Sequence, residues 1–297
     1  MTIVAPRRSV IIDLPRVFVG SIAIQQGILT PAQLRGPGVV PVLHGVYRPS
    51  WVEHTHELCC EAAALVLPED ALITGRSAAT VRGVPLAGAR DEVETVVPFG
   101  IRAPRLRGVT VRQTMTPGPP DITLNGVRLA HPLRIAFDVA ARRPQPRGVA
   151  YLDALARAGI VDLDSLRAWL AVCHDNDVVA VRAALAETDP RAESIPESEM
   201  RVILRRAGFA AEVQYVVRDG GRRIMRADLA LPELRIAILY DGAWHALREQ
   251  LEKDRAQQRL MQRAGWLTVH VTAALLRTPS ALVAAVAAIV DQRRAGR

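Results

Sequence analysis

Between Ser194 and His245 the apolar and polar positions alternate most legibly. Glu197 to Ala207 repeats apolar residues at helical spacing (Met200, Ile203, Leu204, Ala207), and Ser194 is placed to cap it. Gly208 ends that helix. Glu212–Val217, Ile224–Leu231 and Leu234–Tyr240 are short runs of β-forming residues. Asp219-Gly220-Gly221 turns the first run into the second, and Pro232-Glu233 hinges the second onto the third. Leu247 to Ala264 predicts a charged helix, Leu267 to Val271 a strand, and Ser280 to Gln292 a closing helix. Helix, mixed sheet and helix make a compact α/β unit.

Upstream the pattern is shorter in wavelength. Val17 to Gln26 has helical spacing and stops at Gly27. Thr30-Pro31 opens a short second helix with a capping residue and a proline at its first position. Val39–Leu43 and Gly45–Arg48 predict a small hairpin around His44-Gly45. Helix, short helix and hairpin form a compressed winged-helix pattern, although Gln33 and Arg35 are the only polar side chains the second helix offers to a DNA groove. Glu53 to Leu67 predicts a helix with Leu58, Cys59, Cys60, Ala62 and Leu65 on a core side. His54 and His56 stand two apart near its start, so they share no helix face on which to hold a metal. Val93 to Val111 is strand-like but interrupted by 100–108, which predicts a hairpin with Arg102, Arg105 and Arg107 at a basic tip. Asn125-Gly126 marks another hairpin. Pro132–Arg142, Val149–Ala158, Leu163–Val172 and Val178–Glu187 predict helices, and Thr188 to Ser194 a linker.

The expected class is therefore α+β, in three parts. Residues 1–52 form a degenerate winged-helix-like unit and 53–190 a mixed α+β middle domain. Residues 191–297 form a restriction-endonuclease-like domain with a mixed central sheet. The length of 297 residues and an apolar fraction of 49% support more than one core. No apolar run is long enough to span a bilayer, and the N-terminal stretch is too broken for a signal peptide. Three cysteines without ligand spacing read as buried thiols in a reducing cytoplasm.

Charge adds a prior on the partner. A net charge of +8 favours a polyanionic partner, although arginine enrichment beside abundant Ala and Val also matches a GC-rich coding bias. Lys253 is the only lysine, so the basic residues are nearly all arginines, which bind phosphate bidentately. The candidates for phosphate contact are Arg222, Arg223, Arg226 and Arg255, together with Arg102, Arg105 and Arg107. Trp244 and Trp266 are candidates for stacking on an unpaired base, with one of the two expected in the core.

The chemistry concentrates in Arg226 to His245. A carboxylate in mid-strand among Ala and Leu, here Asp228, is costly unless something pairs with it. Its neighbour strand ends in Tyr240-Asp241-Gly242-Ala243-Trp244-His245. An acid facing an acid and a histidine at a strand end suits a divalent cation; a hairpin with ordinary turn residues explains the same pattern.

Several stretches resemble a bacterial family. Ser194-Ile-Pro-Glu197, Ala227-Asp228 to Glu233, Tyr240-Asp241-Gly-Ala-Trp-His245, Lys253-Asp254-Arg255 and Gly265-Trp266 to Val271 are together similar to very-short-patch-repair-like endonuclease domains of the PD-(D/E)XK superfamily. Leu34-Arg-Gly-Pro37, His44 to Pro49 and Gly75 to Ala79 are similar to an AbiEi-type antitoxin or regulator region. The resemblance implies Asp228 as the first metal carboxylate, Glu197 as the helix acid that holds metal-bound water, and His245 as the active-site histidine. Asp241 takes a position that is a histidine in the repair enzyme, where it would be a ligand or an orienter. The Tyr240 carbonyl completes a hard oxygen set suited to Mg²⁺ or Mn²⁺. Two positions depart from the pattern. Leu239 stands where many members have a glutamate, and Asp241 stands where the superfamily has its lysine; Lys253 is the basic residue left to serve from the next helix.

Two functions follow from this. One is a metal-dependent DNA endonuclease or nickase in repair or defence. The other is a non-catalytic DNA-binding regulator or antitoxin on a degenerate nuclease body. A protein-interaction scaffold is a third. A homodimer, a partner toxin and a repair protein are the candidate assemblies.

Overall fold

A computed structural model describes residues 14–296 apart from 116, 117, 119, 142, 144 and 243–247, and of 248–255 it describes the backbone alone. The chain is an α+β protein that divides into two compact units, 1–139 with 160–178 and 140–159 with 179–297. No helix among the described residues is long and apolar enough to cross a membrane.

The first unit opens with β1 (Phe18–Val19), α1 (Gly20–Gln25), α2 (Pro31–Leu34), β2 (Val39–Leu43) and β3 (Val46–Pro49). The strands form a small antiparallel sheet in the order β1-β3-β2. Thr30 caps α2 through a reciprocal capping box with Gln33. There follow α3 (His56–Ala64), β4 (Leu72–Ile73), α4 (Gly75–Val81), β5 (Val93–Pro98), β6 (Val109–Thr114), β7 (Ile122–Leu124), β8 (Val127–Leu129) and α5 (Pro132–Ala140). Their sheet is mixed, in the order β6-β5-β4-β8-β7. The Asn125-Gly126 hairpin forms, both residues having positive φ.

The basic hairpin expected at 100–108 does not form. β5 and β6 pair in parallel, from Val93 opposite Val109 to Pro98 opposite Thr114. The connection therefore runs back along the strands as a strap, because parallel neighbours cannot be joined by a tight turn. Periodicity marks both strands but carries no sign of their relative direction.

In the second unit α6 (Gln145–Arg157) packs against α9 (Ile195–Arg206), and α8 (Val178–Ala186) lies between them in the chain after α7 (Leu163–Val172) of the first unit. The stretch 188–194, expected as a linker, is anchored instead. The Asp189 backbone N–H donates to Asp153 at 2.7 Å, Ala192 is fully buried, and Arg201 joins the same buried Asp153 at 2.7 Å. These bonds pair a carboxylate with a guanidinium that would otherwise be buried at high cost, although the Arg201 Nε–H itself is buried without a partner among the described residues. They also tie α6 and α8 to the C-terminal elements rather than to the middle of the chain.

The sheet of this unit comprises β9 (Glu212–Asp219), β10 (Arg222–Leu231), β11 (Ile236–Asp241) and β12 (Leu267–Thr272), in the order β12-β11-β10-β9. β9, β10 and β11 are successively antiparallel, while β11 and β12 are parallel and joined through α10 (Arg248–Arg263). The Pro232–Leu234 hinge is a 3-10 turn closed by Arg235 at φ 51°. α11 (Ala273–Leu276) and α12 (Pro279–Ala295) complete the unit. One sheet face packs Leu229, Ile236, Ile238, Val269 and Val271 against Met200 and Leu204 of α9 and Leu282 and Val286 of α12. The other packs Val217, Met225, Ala227, Ala230 and Ala237 against Met261 of α10 and Trp266.

Candidate functional site

Side chains two apart along a strand share a face. Ala227 and Ala230 are three apart yet lie in one core cluster, while Leu229 lies in the other. The alternation of β10 thus breaks beside Asp228. β9 breaks at the same level: Val213 packs in the first cluster, Tyr215 against the second, and Gln214 between them has φ 53°. The register pairs Ala227 with Tyr215 and Leu229 with Val213, which sets Asp228 opposite Gln214. An irregularity shared by two neighbouring strands is how sheets re-aim a polar side chain within an apolar surface.

α9 brings its first turn to this point. Ser194 is the N-cap, and its side chain accepts from the Glu197 backbone N–H. Glu197 is buried and has both oxygens occupied. Oε1 accepts from the Ser194 hydroxyl at 2.7 Å, and Oε2 accepts from the Glu193 backbone N–H at 2.9 Å and from Gln214 Nε2 at 2.7 Å. The acid expected to hold metal-bound water is therefore tied to the start of its own helix, through the Ser194 hydroxyl and the Glu193 backbone N–H.

Asp228 is half-buried, and its Oδ2 accepts the Tyr240 backbone N–H at 2.7 Å. No partner stands against Oδ1 among the described residues. Burial pushes the carboxyl up to about 6; the Tyr240 N–H works against this, while the negative charges of Glu197 and Glu193 add to it. Arg226 opposes the rise only weakly, since it is exposed and pairs with Glu193 at 2.6 Å.

Asp241 does not join Asp228. It is exposed at the end of β11 and accepts from His270 Nδ1 at 3.0 Å. The β11–β12 register, Leu239 opposite His270 and Asp241 opposite Thr272, puts the two side chains diagonally along one face. A carboxylate oxygen can only accept, so His270 Nδ1 is the donor of this bond. Leu239 packs against the cluster that includes Met261 and Trp266, so this position is part of the core.

The remaining expectations divide sharply. Arg222 and Arg223 are exposed on the β9–β10 hairpin. Trp266 is buried and packs against Tyr215 at 5.6 Å between ring centroids, which withdraws it from base stacking. Trp244 and His245 lie outside the described residues, and so do the side chains of Lys253 and Arg255 on α10. Arg102, Arg105 and Arg107 lie on the strap of the first unit. All three cysteines are buried free thiols. His56 is also buried. The Gly88 carbonyl can only accept, so His56 Nδ1 donates to it at 3.0 Å, and Nε2 accepts from Ser77 at 2.8 Å. Desolvation lowers its pKa, as for a neutral core histidine.

Three participants were not marked in the sequence: Gln214, Glu193 and His270. Gln214 owes its place to a backbone in the left-handed region, and glutamine carries no signal for that conformation. Glu193 is brought in by the cap of α9, and His270 by a parallel pairing between strands far apart in sequence.

Among the described residues no group of three or more His, Cys, Asp or Glu is placed to hold a metal ion. The donor set that remains is small but hard: Asp228 with one unengaged oxygen, the Tyr240 carbonyl and the adjacent charge of Glu197. It suits an oxygen-seeking divalent cation with retained waters, as Mg²⁺ prefers.

Two curated relatives align along nearly all of the chain. They are the uncharacterized protein MT2308 of Mycobacterium tuberculosis strain CDC 1551 / Oshkosh and the uncharacterized protein Rv2248 of strain ATCC 25618 / H37Rv. Each is 28% identical over 271 residues, 88% of this chain and 96% of the relative. No family model matches the chain, and no solved structure matches it.

Proposed function

We propose that the second unit is a divalent-cation-dependent DNA endonuclease or nickase, acting in repair or defence. The observation that carries this reading is Asp228: a half-buried carboxylate at a double strand irregularity, held up to about 6 by burial and by two neighbouring acids. Structural carboxylates are usually paired with a cation of the protein; this one is half-buried near two acids, with only the exposed Arg226 against them, a balance a metal ion would relieve. Asp228 and the Tyr240 carbonyl are the proposed ligands of Mg²⁺ or Mn²⁺, and Glu197 the holder of a metal-bound water. Such an ion supplies charge neutralisation at phosphate and a more acidic water. Arg222 and Arg223 would meet backbone phosphates from the hairpin. Asp241 would orient His270 rather than bind metal, and His245 keeps its proposed role as proton donor or acceptor.

A second reading is a DNA-binding regulator or antitoxin without catalysis. Leu239 favours it, because an apolar core side chain occupies the position of a common second carboxylate. The full engagement of Glu197 favours it too.

The two readings part in one experiment. Full-length protein is incubated with supercoiled plasmid and Mg²⁺ or Mn²⁺, beside Asp228→Ala and a chelated control. The nuclease reading expects nicking that needs both the metal and Asp228. Binding that persists in chelator and in Asp228→Ala, with no strand scission, would establish the regulator instead.

A further inference from the structure

The strap between β5 and β6 creates a feature of its own, in the first unit and independent of the Asp228 site. Residues 99–108 cross one face of the parallel pair and enclose a groove of about 500 Å³. That volume is within the range of about 300–1,000 Å³ typical of ligand sites. Val97 and Val111 form the floor, and Ile101 and Leu106 of the strap form apolar walls. Gln113 Nε2 donates to the Ile101 carbonyl at 2.9 Å and pins the strap to the sheet. Gly100 and Gly108, with φ of 89° and 88°, turn the chain at its two ends.

Arg102, Arg105 and Arg107 line this groove, are all exposed, and have no carboxylate partner among the described residues. No acidic residue lines it. The acids of the same strand region are committed elsewhere, Glu94 to Arg76 and Glu92 to the Thr110 hydroxyl. Other exposed arginines, such as Arg222 and Arg223, also lack an acid among the described residues, so what distinguishes this groove is three guanidinium groups gathered on one short strap over apolar side chains. Three guanidinium groups without acids, set around an apolar floor, have the chemistry of a site for a phosphorylated ligand with an apolar body.

We propose that this groove binds single-stranded nucleic acid, with the three arginines on successive phosphates and an unpaired base against Val111, Ile101 and Leu106. A duplex keeps its bases stacked inside and offers only phosphates outward, so it would leave the apolar floor unmatched. A single strand can supply both surfaces. The interaction needs no metal.

The test uses the full-length protein in chelator, with fluorescence anisotropy of a labelled oligothymidylate across a salt series. Each phosphate contact on a single strand contributes a slope of about 0.7 in log affinity against log salt. Replacing all three arginines (R102Q, R105Q and R107Q together) should lower that slope by about 2 and weaken binding about tenfold to a hundredfold near 0.1 M salt. The corresponding triple lysine variant should keep the slope, and Arg167→Gln, which removes an exposed arginine away from the groove, should bind as the wild type does. An unchanged slope in the glutamine variant would overturn the proposal, as would equal affinity for duplex. Competition by thymidine monophosphate at concentrations matching the strand would assign the groove to free nucleotides and overturn the strand reading. Should the glutamine variant melt early, the single R105E variant gives the same reading. Binding in chelator that is lost only with the arginines is distinct from any failure of the metal-dependent reaction.

Discussion

Replacing Asp228 by Asn should stabilise this protein at neutral pH. Asn keeps the shape of the side chain and an oxygen to accept the Tyr240 N–H, but it removes the charge. The folded carboxyl titrates at about 6 against an ordinary 3.8. At ~1.36 kcal/mol per pH unit this difference is worth about 3 kcal/mol at full strength. Partial solvent access to the group reduces it to about 1–2 kcal/mol. The sign follows from proton binding. Because the folded pKa is raised, the folded state holds the proton between pH ~4 and ~6 while the unfolded chain has released it. The penalty is absent below pH ~4, grows through that window and is complete above ~6. Asp228→Asn should therefore raise the melting temperature by roughly 2–6 °C at pH ~7.5, on the scale expected for a chain of this size. The gain should disappear at pH ~4. Circular dichroism melts at the two pH values measure both. A variant that is less stable than wild type at neutral pH, or equally stabilised at both, would refute the account of Asp228 as a carboxylate frustrated by burial and like charge.

Three further outcomes follow from the second unit. Arg201→Met should cost about 3–5 kcal/mol, since it leaves Asp153 buried without its cation; adding Asp153→Leu should recover much of the loss in urea titrations. Ser194→Ala should cost ~1 kcal/mol by uncapping α9, read as a shifted urea midpoint with an unchanged slope. Leu239→Glu should restore a carboxylate one rung beyond the Leu229–Ile238 pair, so millimolar Mn²⁺ should raise the melting temperature of this variant more than that of wild type. A melt indifferent to Mn²⁺ would place that side chain away from any cation at Asp228.

Much of the fold was readable along the chain because its signals are local. The cap at Ser194, the turns at Asn125-Gly126 and Asp219-Gly220-Gly221, and the hinge at Pro232 depend on neighbours a few residues away, and each formed where the residues indicate. Asp228 was legible for a related reason: an acid among Ala and Leu is conspicuous in one dimension. Its counterpart Gln214 was not, because its contribution is a left-handed backbone at one strand position, which no side-chain pattern announces.

Other features were decided only in three dimensions. The arginines at 102–107 read along the chain as a hairpin tip, and the parallel pairing of β5 and β6 made them the lining of a groove instead. The stretch 188–194 looks like a linker until Arg201 and Asp153 bury their charges against it. Asp241 and Trp266 were assigned to chemistry by their place in the chain; pairing gave the first to His270, and packing put the second in the core. Caps, turns and strand periods are local properties, set by the free energies of neighbouring residues. Strand direction, the partner of a charge and the face a side chain occupies are settled by contacts between distant segments, where burial decides which polar groups must find each other.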